Sequence, residues 1–418
     1  MTEQESYEPF CLDVEGEPDL PDATKKRNRI IGYIASFLVV FTLGTTEVFA
    51  SWYAGILGGT SLESGLAMGM FGFMYMFSPI IGGRISDKIG RKKTLTISTA
   101  AYVIVISFYL LPSIAPIHLI VIRAVEGLVF GFIAPTIEGM VAELDPEAQA
   151  SALGNFSTAW SASMILPPFI IAYMAGAYGE LSSIYIILAV ELLSLVVIGG
   201  FIQGYRRKTP TRKSEGVDNE GAVDSRPEQI HSKTSPRFIA SYVSLILWGV
   251  VSTVVIALFP TYIETLVILG HPFVREDFGN LLLIWNAART VCFIVVARMG
   301  EKHMIKAIVL GAILSAISGI MIFLSVNIWV FTAAMIISGV GVGFSYLGAL
   351  YLVVSATEFE KGSYAGLVES MGGVGLFIGP IVGGWLMGFG LTLPYLMITG
   401  LSLIALLVMV PLFSRPNK

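Results

Sequence analysis

Gly83-Arg84-Ile85-Ser86-Asp87-Lys88-Ile89-Gly90-Arg91-Lys92-Lys93 decides how this chain is read. Arg84, Lys88, Arg91, Lys92 and Lys93 all fall inside this one short stretch. Apolar sequence flanks it, roughly over 64–85 before and 93–111 after. A helix needs ~20 apolar residues to cross a bilayer, and Lys and Arg collect in cytosolic connections. The stretch therefore reads as a short cytosolic link between two membrane spans.

Composition extends that reading to the whole chain. It has 418 residues, 55% hydrophobic and 13% charged, with mean hydropathy +0.76. A soluble globular chain carries about 25% charged residues. The charges also cluster: Met1–Asn28 holds 11 and Gln203–Arg237 holds 13. This excludes a soluble enzyme, a disordered chain and a secreted disulfide scaffold, and the chain is not read as an enzyme. Cys11 and Cys292 have no metal-ligand spacing, so neither a metal nor a cofactor is expected. A net charge of −4 implies no nucleic-acid partner.

Twelve apolar segments are predicted as membrane helices, near 30–57, 64–85, 93–111, 116–142, 151–177, 182–202, 238–266, 278–298, 303–324, 328–354, 363–388 and 392–413. Helices are expected because an open sheet cannot satisfy its backbone in lipid. The Lys and Arg residues lie before span 1, between spans 2 and 3, after span 6, around the 8–9 connection and at the C-terminus. Arg275 is the exception, beside Glu276 and Asp277. The expected fold is an all-α membrane protein with both termini in the cytosol.

The sequence also repeats. Gly90-Arg91-Lys92-Lys93 aligns with Gly300-Glu301-Lys302-His303 at an offset of 210. Gly127-x-x-x-Gly131-Phe132 aligns with Gly339-x-x-x-Gly343-Phe344, and Gly154 and Pro168 with Gly366 and Pro380, all at an offset of 212. Four regions follow: a disordered acidic cytosolic tail (1–28), a six-helix half (29–202), a cytosolic linker (203–237) and a second six-helix half (238–418). Repeated halves with a site at their interface are the build of secondary transporters.

The 83–93 stretch resembles the loop signature of the major facilitator superfamily, G-x-x-x-D-R/K-x-G-R-R/K. Arg123-x-x-Glu126-Gly127 in span 4 is similar to the family's R-x-x-Q-G. The resemblance covers all twelve spans and implies the fold of two six-helix repeats. It also implies a gating loop built from Gly83, Asp87, Lys88, Gly90, Arg91 and Lys92. Gly83 would let helices approach closely, and Asp87 would face the start of span 11 near Ser363 and latch the halves. Ala297 stands at the matching position of the second half, so one latch is expected rather than two. The antiporter-type G-x-x-x-G-P-x-x-G-G pattern is missing from span 5, which reads Leu166-Pro167-Pro168-Phe169. It occurs in span 11 as Gly375, Gly379, Pro380, Gly383 and Gly384. With Gly127 and Gly131, Gly375, Gly379, Pro380 and Gly383 are the expected helix-packing positions. The sugar-porter signature after span 6 is also absent, since the chain reads Gln203-Gly204-Tyr205-Arg206-Arg207.

Charges inside hydrocarbon are costly and mark a cavity or a partner. Glu47, Arg123 and Glu126 lie roughly 10–15 Å below the outer surface at 1.5 Å per helical residue. Either acid is a candidate carrier of a coupling proton, with Arg123 tuning it; a permanently ionised structural cluster is the alternative. Arg123, Arg289, Asn286, Trp248 and Tyr346 are the candidate substrate-binding residues, with Arg289 a clamp for an anionic group. Glu138 and Glu264 read as mouth or solvated-edge residues, Glu369 as part of the latch region, and Glu191 as a packing contact.

The expected function is secondary active transport of a small solute by alternating access, coupled to protons, with export of small organic compounds favoured. Proton-linked uptake of an organic anion or other metabolite is the alternative. A transporter-like membrane sensor without flux is the reading from another class. The expected partners are a small-molecule substrate, protons and the lipid bilayer, for a multi-pass protein of the plasma membrane acting as a monomer.

Overall fold

The computed structural model describes residues 20–145, 149–205, 235–274, 276–296, 298–299, 301–354 and 361–415. All regular structure among them is helical. The first group of helices is α1 (Asp22–Ile56), α2 (Ser61–Tyr75), α3 (Ser78–Ile89), α4 (Arg91–Ser107), α5 (Pro116–Glu143), α6 (Gln149–Ser163), α7 (Pro167–Tyr178) and α8 (Ser182–Phe201). The second is α9 (Pro236–Ile268), α10 (Glu276–Val296), α11 (Glu301–Leu324), α12 (Ile328–Val354), α13 (Lys361–Met387) and α14 (Leu393–Phe413). Eleven spans are long and apolar enough to cross a bilayer when α6 and α7 count as one, and twelve when the α2–α3 pair also does. The twelve predicted segments match these spans.

Proline explains the two broken spans. It removes a backbone donor and clashes with the carbonyl four residues earlier. Pro79 starts α3, and α2 and α3 bend by 42° across Met76 and Phe77. Pro167 starts α7 and ends the run of α6. The predicted cytosolic loop is therefore mostly helix: Gly83, Asp87 and Lys88 belong to α3, and only Gly90 joins it to α4. Gly90 has φ +96°, which suits a residue without a β-carbon.

Two expectations need correction. The charged head was expected to stay irregular through Asn28, but α1 begins at Asp22; residues 1–19 lie outside the described residues. Polar contacts hold this first stretch of α1 to the segments that follow α8 and α5. Asn28 Nδ2 donates to the Gln203 carbonyl at 2.8 Å, and the Gln203 amide donates to Asn28 Oδ1 at 3.1 Å. Arg29 pairs with Asp145. Gly83 is not a close-approach position, because a β-carbon there would meet nothing within 4 Å; its neighbour Gly82 packs on α5, where a β-carbon would come within 2.5 Å of the Gly131 carbonyl oxygen. Most of the predicted linker, 206–234, lies outside the described residues, as do Ala297 and Gly300.

Burial orders the bundle. The apolar windows of α1 and α9 are 83% buried, whereas those of α8 and α14 are 28% buried and form the rim. Glycines set the helix spacing. A β-carbon at Gly127 would collide with the Phe71 carbonyl, at Gly131 with the Ser78 hydroxyl, and at Gly375 with the Ile246 carbonyl. Gly379 and Gly383 each leave 2.8 Å to atoms of α9, and the Pro380 carbonyl presses on Gly65 of α2. The two helix groups touch through α2–α13, α1–α9 and α7–α10. Gly65, Gly69 and Gly72 of α2, Gly373 of α13 and Gly279 of α10 carry the tightest of these approaches, so the α2–α13 contact runs from the end away from Gly90 as far as Met76.

Overpacking such a site costs ~1–3 kcal/mol. Gly375→Val is expected to lower the thermal unfolding midpoint of the detergent-solubilised protein by several degrees. Gly154→Ala, whose new methyl meets nothing within 4 Å, should leave it within about one degree.

Candidate functional site

A cavity of about 90 Å³ lies between the two helix groups. Glu47 (α1), Tyr75 (α2), Glu138 (α5), Trp160 (α6), Trp248 and Ser252 (α9), Arg289 (α10), Tyr346 (α12) and Glu369 (α13) line it. A second hollow of about 370 Å³ between α11 and α14 is apolar apart from Lys306 and Ser414 and lies on the rim, where lipid tails would fill it.

The central site holds two buried arginines with different surroundings. Arg123 is fully buried and ion-paired with Glu126 three residues on, which places both on one helix face. Its Nη1 donates to Thr46 Oγ1 at 3.0 Å, and its guanidinium lies 4.5 Å above the Phe71 ring. Tyr102 of α4 and Tyr109 of the turn that follows it face the same pair. Arg289, 1% exposed, has no carboxylate within ion-pair distance among the described residues. Its Nη2 contacts the Met164 sulfur at 3.3 Å, and its guanidinium lies 5.3 Å from the Trp160 ring and 4.9 Å from the Trp285 ring.

Glu47 stands on the cavity wall with Arg123 and Arg289, one from each helix group, as its facing cations. No described residue hydrogen-bonds its carboxylate. The structure thus gathers Glu47, Arg123 and Glu126, but divides their tasks. Glu126 is committed to Arg123, while Glu47 keeps its oxygens toward the cavity. Arg123 itself is not on the wall, and neither is Asn286, whose Nδ2 donates to the Leu282 carbonyl of its own helix at 3.0 Å. These two expected substrate residues sit behind the wall, whereas Trp248, Tyr346 and Arg289 line it.

Glu138 and Glu369, read from sequence as edge and latch residues, both line the cavity. Tyr346 Oη donates to Glu369 Oε1 at 3.2 Å and Tyr75 Oη to Oε2 at 3.5 Å, so Glu369 ties α12 to α2 of the other group. Only three-dimensional packing brings Tyr75 and Glu369 together, since 294 residues separate them. Glu191 is fully buried within the first group, near Thr42, and does not reach the cavity.

At the Gly90 end, Asp87 Oδ1 pairs with Arg91 at 2.8 Å. Arg91 also contacts Glu143 Oε1 at 2.5 Å and donates to Ser86 Oγ at 2.9 Å, joining α3, α4 and α5. Tyr205 Oη donates to Glu143 at 3.0 Å. This cluster lies inside the first group. The side chains near Ser363, expected across from Asp87, lie outside the described residues. Lys88 is exposed, and the Lys92 stem packs near Gly204.

A profile described as Major Facilitator Superfamily matches residues 32–274 and 272–418. The chain belongs to this superfamily. It is a transporter-family membrane protein with many spans. An uncharacterized MFS-type transporter of Methanocaldococcus jannaschii is 20% identical over 365 residues, covering 86% of this chain and 91% of that protein. The multidrug resistance protein MdtG of Enterobacter lignolyticus is 27% identical over 313 residues, covering 69% of each. The crystal structure of the nucleoside transporter NupG superposes with TM-score 0.70 at 14% identity, covering 93% of this chain and all of that one. That likeness concerns the fold.

Removing one partner of a buried ion pair costs ~3–5 kcal/mol, while replacing both with apolar side chains is often neutral. Arg123→Met alone should strongly lower the thermal unfolding midpoint in detergent, and Arg123→Met with Glu126→Leu should recover most of the loss. A double variant as unstable as the single one would contradict the pairing.

Proposed function

We propose that the chain is a proton-coupled secondary transporter that exports small organic compounds by alternating access through the central cavity. The observation that carries this reading is the position of Glu47, between arginines of both helix groups and open to the cavity. An ionised Glu47 balances Arg289 across the groups. A protonated Glu47 leaves Arg289 without a counter-charge, which changes the electrostatic cost of bringing the groups together. Proton binding therefore biases one arrangement of the groups over the other, as coupling requires.

Export is supported by the ring-lined, largely apolar wall and by the similarity to a multidrug resistance protein. Uptake of an organic anion is the second reading, favoured by Arg289, which has no ion pair among the described residues. Two matched six-helix halves, divided in the 203–237 stretch, are the domain arrangement of this reading. The Arg and Lys residues at the Gly90 end support a cytosolic position for that end and for both termini. On that orientation, the approaches at Gly65 and Gly279 narrow the cavity toward the outside. The protein works as a monomer in the plasma membrane, because each chain contains both walls of its cavity.

Proteoliposomes with and without an imposed pH gradient, screened with labelled metabolites and drugs, test the proposal. Glu47→Gln is expected to reduce gradient-driven flux at least tenfold while gradient-independent exchange persists, the removal of one coupling group being worth ~1.4 kcal/mol or more. Full gradient-driven flux in Glu47→Gln would remove Glu47 from the coupling step, and no flux of any compound would favour a sensor.

A further inference from the structure

The charges on the cavity wall do not balance. Arg289 faces Glu47, and Arg123 is already paired with Glu126 behind the wall. Glu138 and Glu369 remain, from opposite helix groups, both on the cavity wall. Glu369 accepts only from the neutral hydroxyls of Tyr75 and Tyr346, and no described residue bonds Glu138. Two carboxylates sharing one low-dielectric cavity repel unless a cation or protons lie between them.

The same end of the cavity has an aromatic stack. The Trp248 and Tyr346 rings lie 4.5 Å apart, and Trp160 stacks 6.1 Å from Tyr346 with an interplanar angle of 22°. Ring faces attract cations. Two polar groups on this wall are independently unsatisfied. Trp248 Nε1 and Ser252 Oγ have no hydrogen-bond partner, although the two residues are only 7% and 3% exposed. An indole N–H can only donate, so Trp248 calls for an acceptor on whatever occupies the cavity. The available complement is thus a positive charge, a flat ring and a hydrogen-bond acceptor.

We propose that Glu138 and Glu369 seat the positive end of a flat organic cation, whose ring packs against the Trp248–Tyr346 stack and whose acceptor oxygen takes the Trp248 N–H. This names the substrate class of the transport site and rests on that functional reading. Because the two acids belong to different helix groups, the cation also draws those groups together at the Gly90 end of the cavity. Glu369 already touches Tyr75 there, at the outer limit of a hydrogen bond.

The test is equilibrium binding to the purified full chain in detergent, using three probes of one shape. They are 6-methoxy-1-methylquinolinium, its uncharged isostere 6-methoxy-1-methylnaphthalene, and the anion 6-methoxy-1-naphthoate. The cation is expected to bind at least about tenfold tighter than either, as a partly desolvated cation–carboxylate and cation–ring site requires. Glu138→Gln and Glu369→Gln should each erase most of that preference. Gln keeps one acceptor oxygen for one tyrosine hydroxyl and an NH2 that can donate to the hydroxyl oxygen of the other, so the second variant can keep both contacts. Trp248→Phe should remove the advantage of the methoxy compound over plain 1-methylquinolinium while charge preference stays. Equal binding of cation and isostere by the unaltered protein would overturn the proposal without relying on any variant, as would an unchanged cation preference in both Gln variants. A flux arm separates the two levels. Cation-selective binding without flux supports the seat and refutes transport, whereas gradient-driven flux of other compounds with no cation preference refutes the seat and leaves transport standing.

Discussion

The cost of placing charge in hydrocarbon governs this molecule. Each ionised side chain at mid-membrane depth costs ~2.5–3.5 kcal/mol on insertion scales, and the chain keeps several such groups near its centre. Arg123 and Glu126 answer the cost by pairing on one helix face with aromatic cover. Arg289 answers it with ring faces and a sulfur rather than with a carboxylate at contact distance. Glu47, Glu138 and Glu369 share the one polar space between the helix groups. A protein serving only as a membrane scaffold would have little reason to keep these groups there.

Shielding those charges demands close helix packing, and the glycine positions provide it. Lipid tails are as apolar as the side chains, so helices associate through contact and hydrogen bonds rather than by leaving water. Backbone-to-backbone approach at Gly127, Gly131 and Gly375 brings α5 against α2 and α3, and α13 against α9. Gly65 and Gly279 do the same between the groups at the end away from Gly90. The contacts between groups are therefore small-residue surfaces, which can part and re-form without unpacking the interior of either group.

Much of this was legible in the sequence because hydropathy runs are local. The twelve spans and the packing glycines of spans 4 and 11 follow from residue type and spacing. The pairing of Arg123 with Glu126 follows from a separation of three residues on a helix. What escaped was set by helix rotation and by distant partners. Gly83 and Gly82 are adjacent, yet only Gly82 faces α5, and a one-residue shift turns the helix by about 100°. Glu138 and Glu369 seemed peripheral because linear distance from a span end does not reveal which face meets the cavity. Asn286 is near Arg289 in sequence but turns its amide to its own backbone. Asn28 looked like part of a tail, because its partner Gln203 lies at the far end of the first group.

The account rests on two helix groups that expose one cavity alternately at its two ends. Pulsed electron–electron distance measurements test this most directly. In a background with Cys11 and Cys292 replaced, one label pair would sit at Lys88 and Arg298, at the Gly90 end, and another at Glu63 and His271, at the opposite end. The prediction is that pH shifts the two pairs in opposite directions, one lengthening as the other shortens. A single distance for each pair that does not respond to pH or to an added organic cation would contradict alternating access.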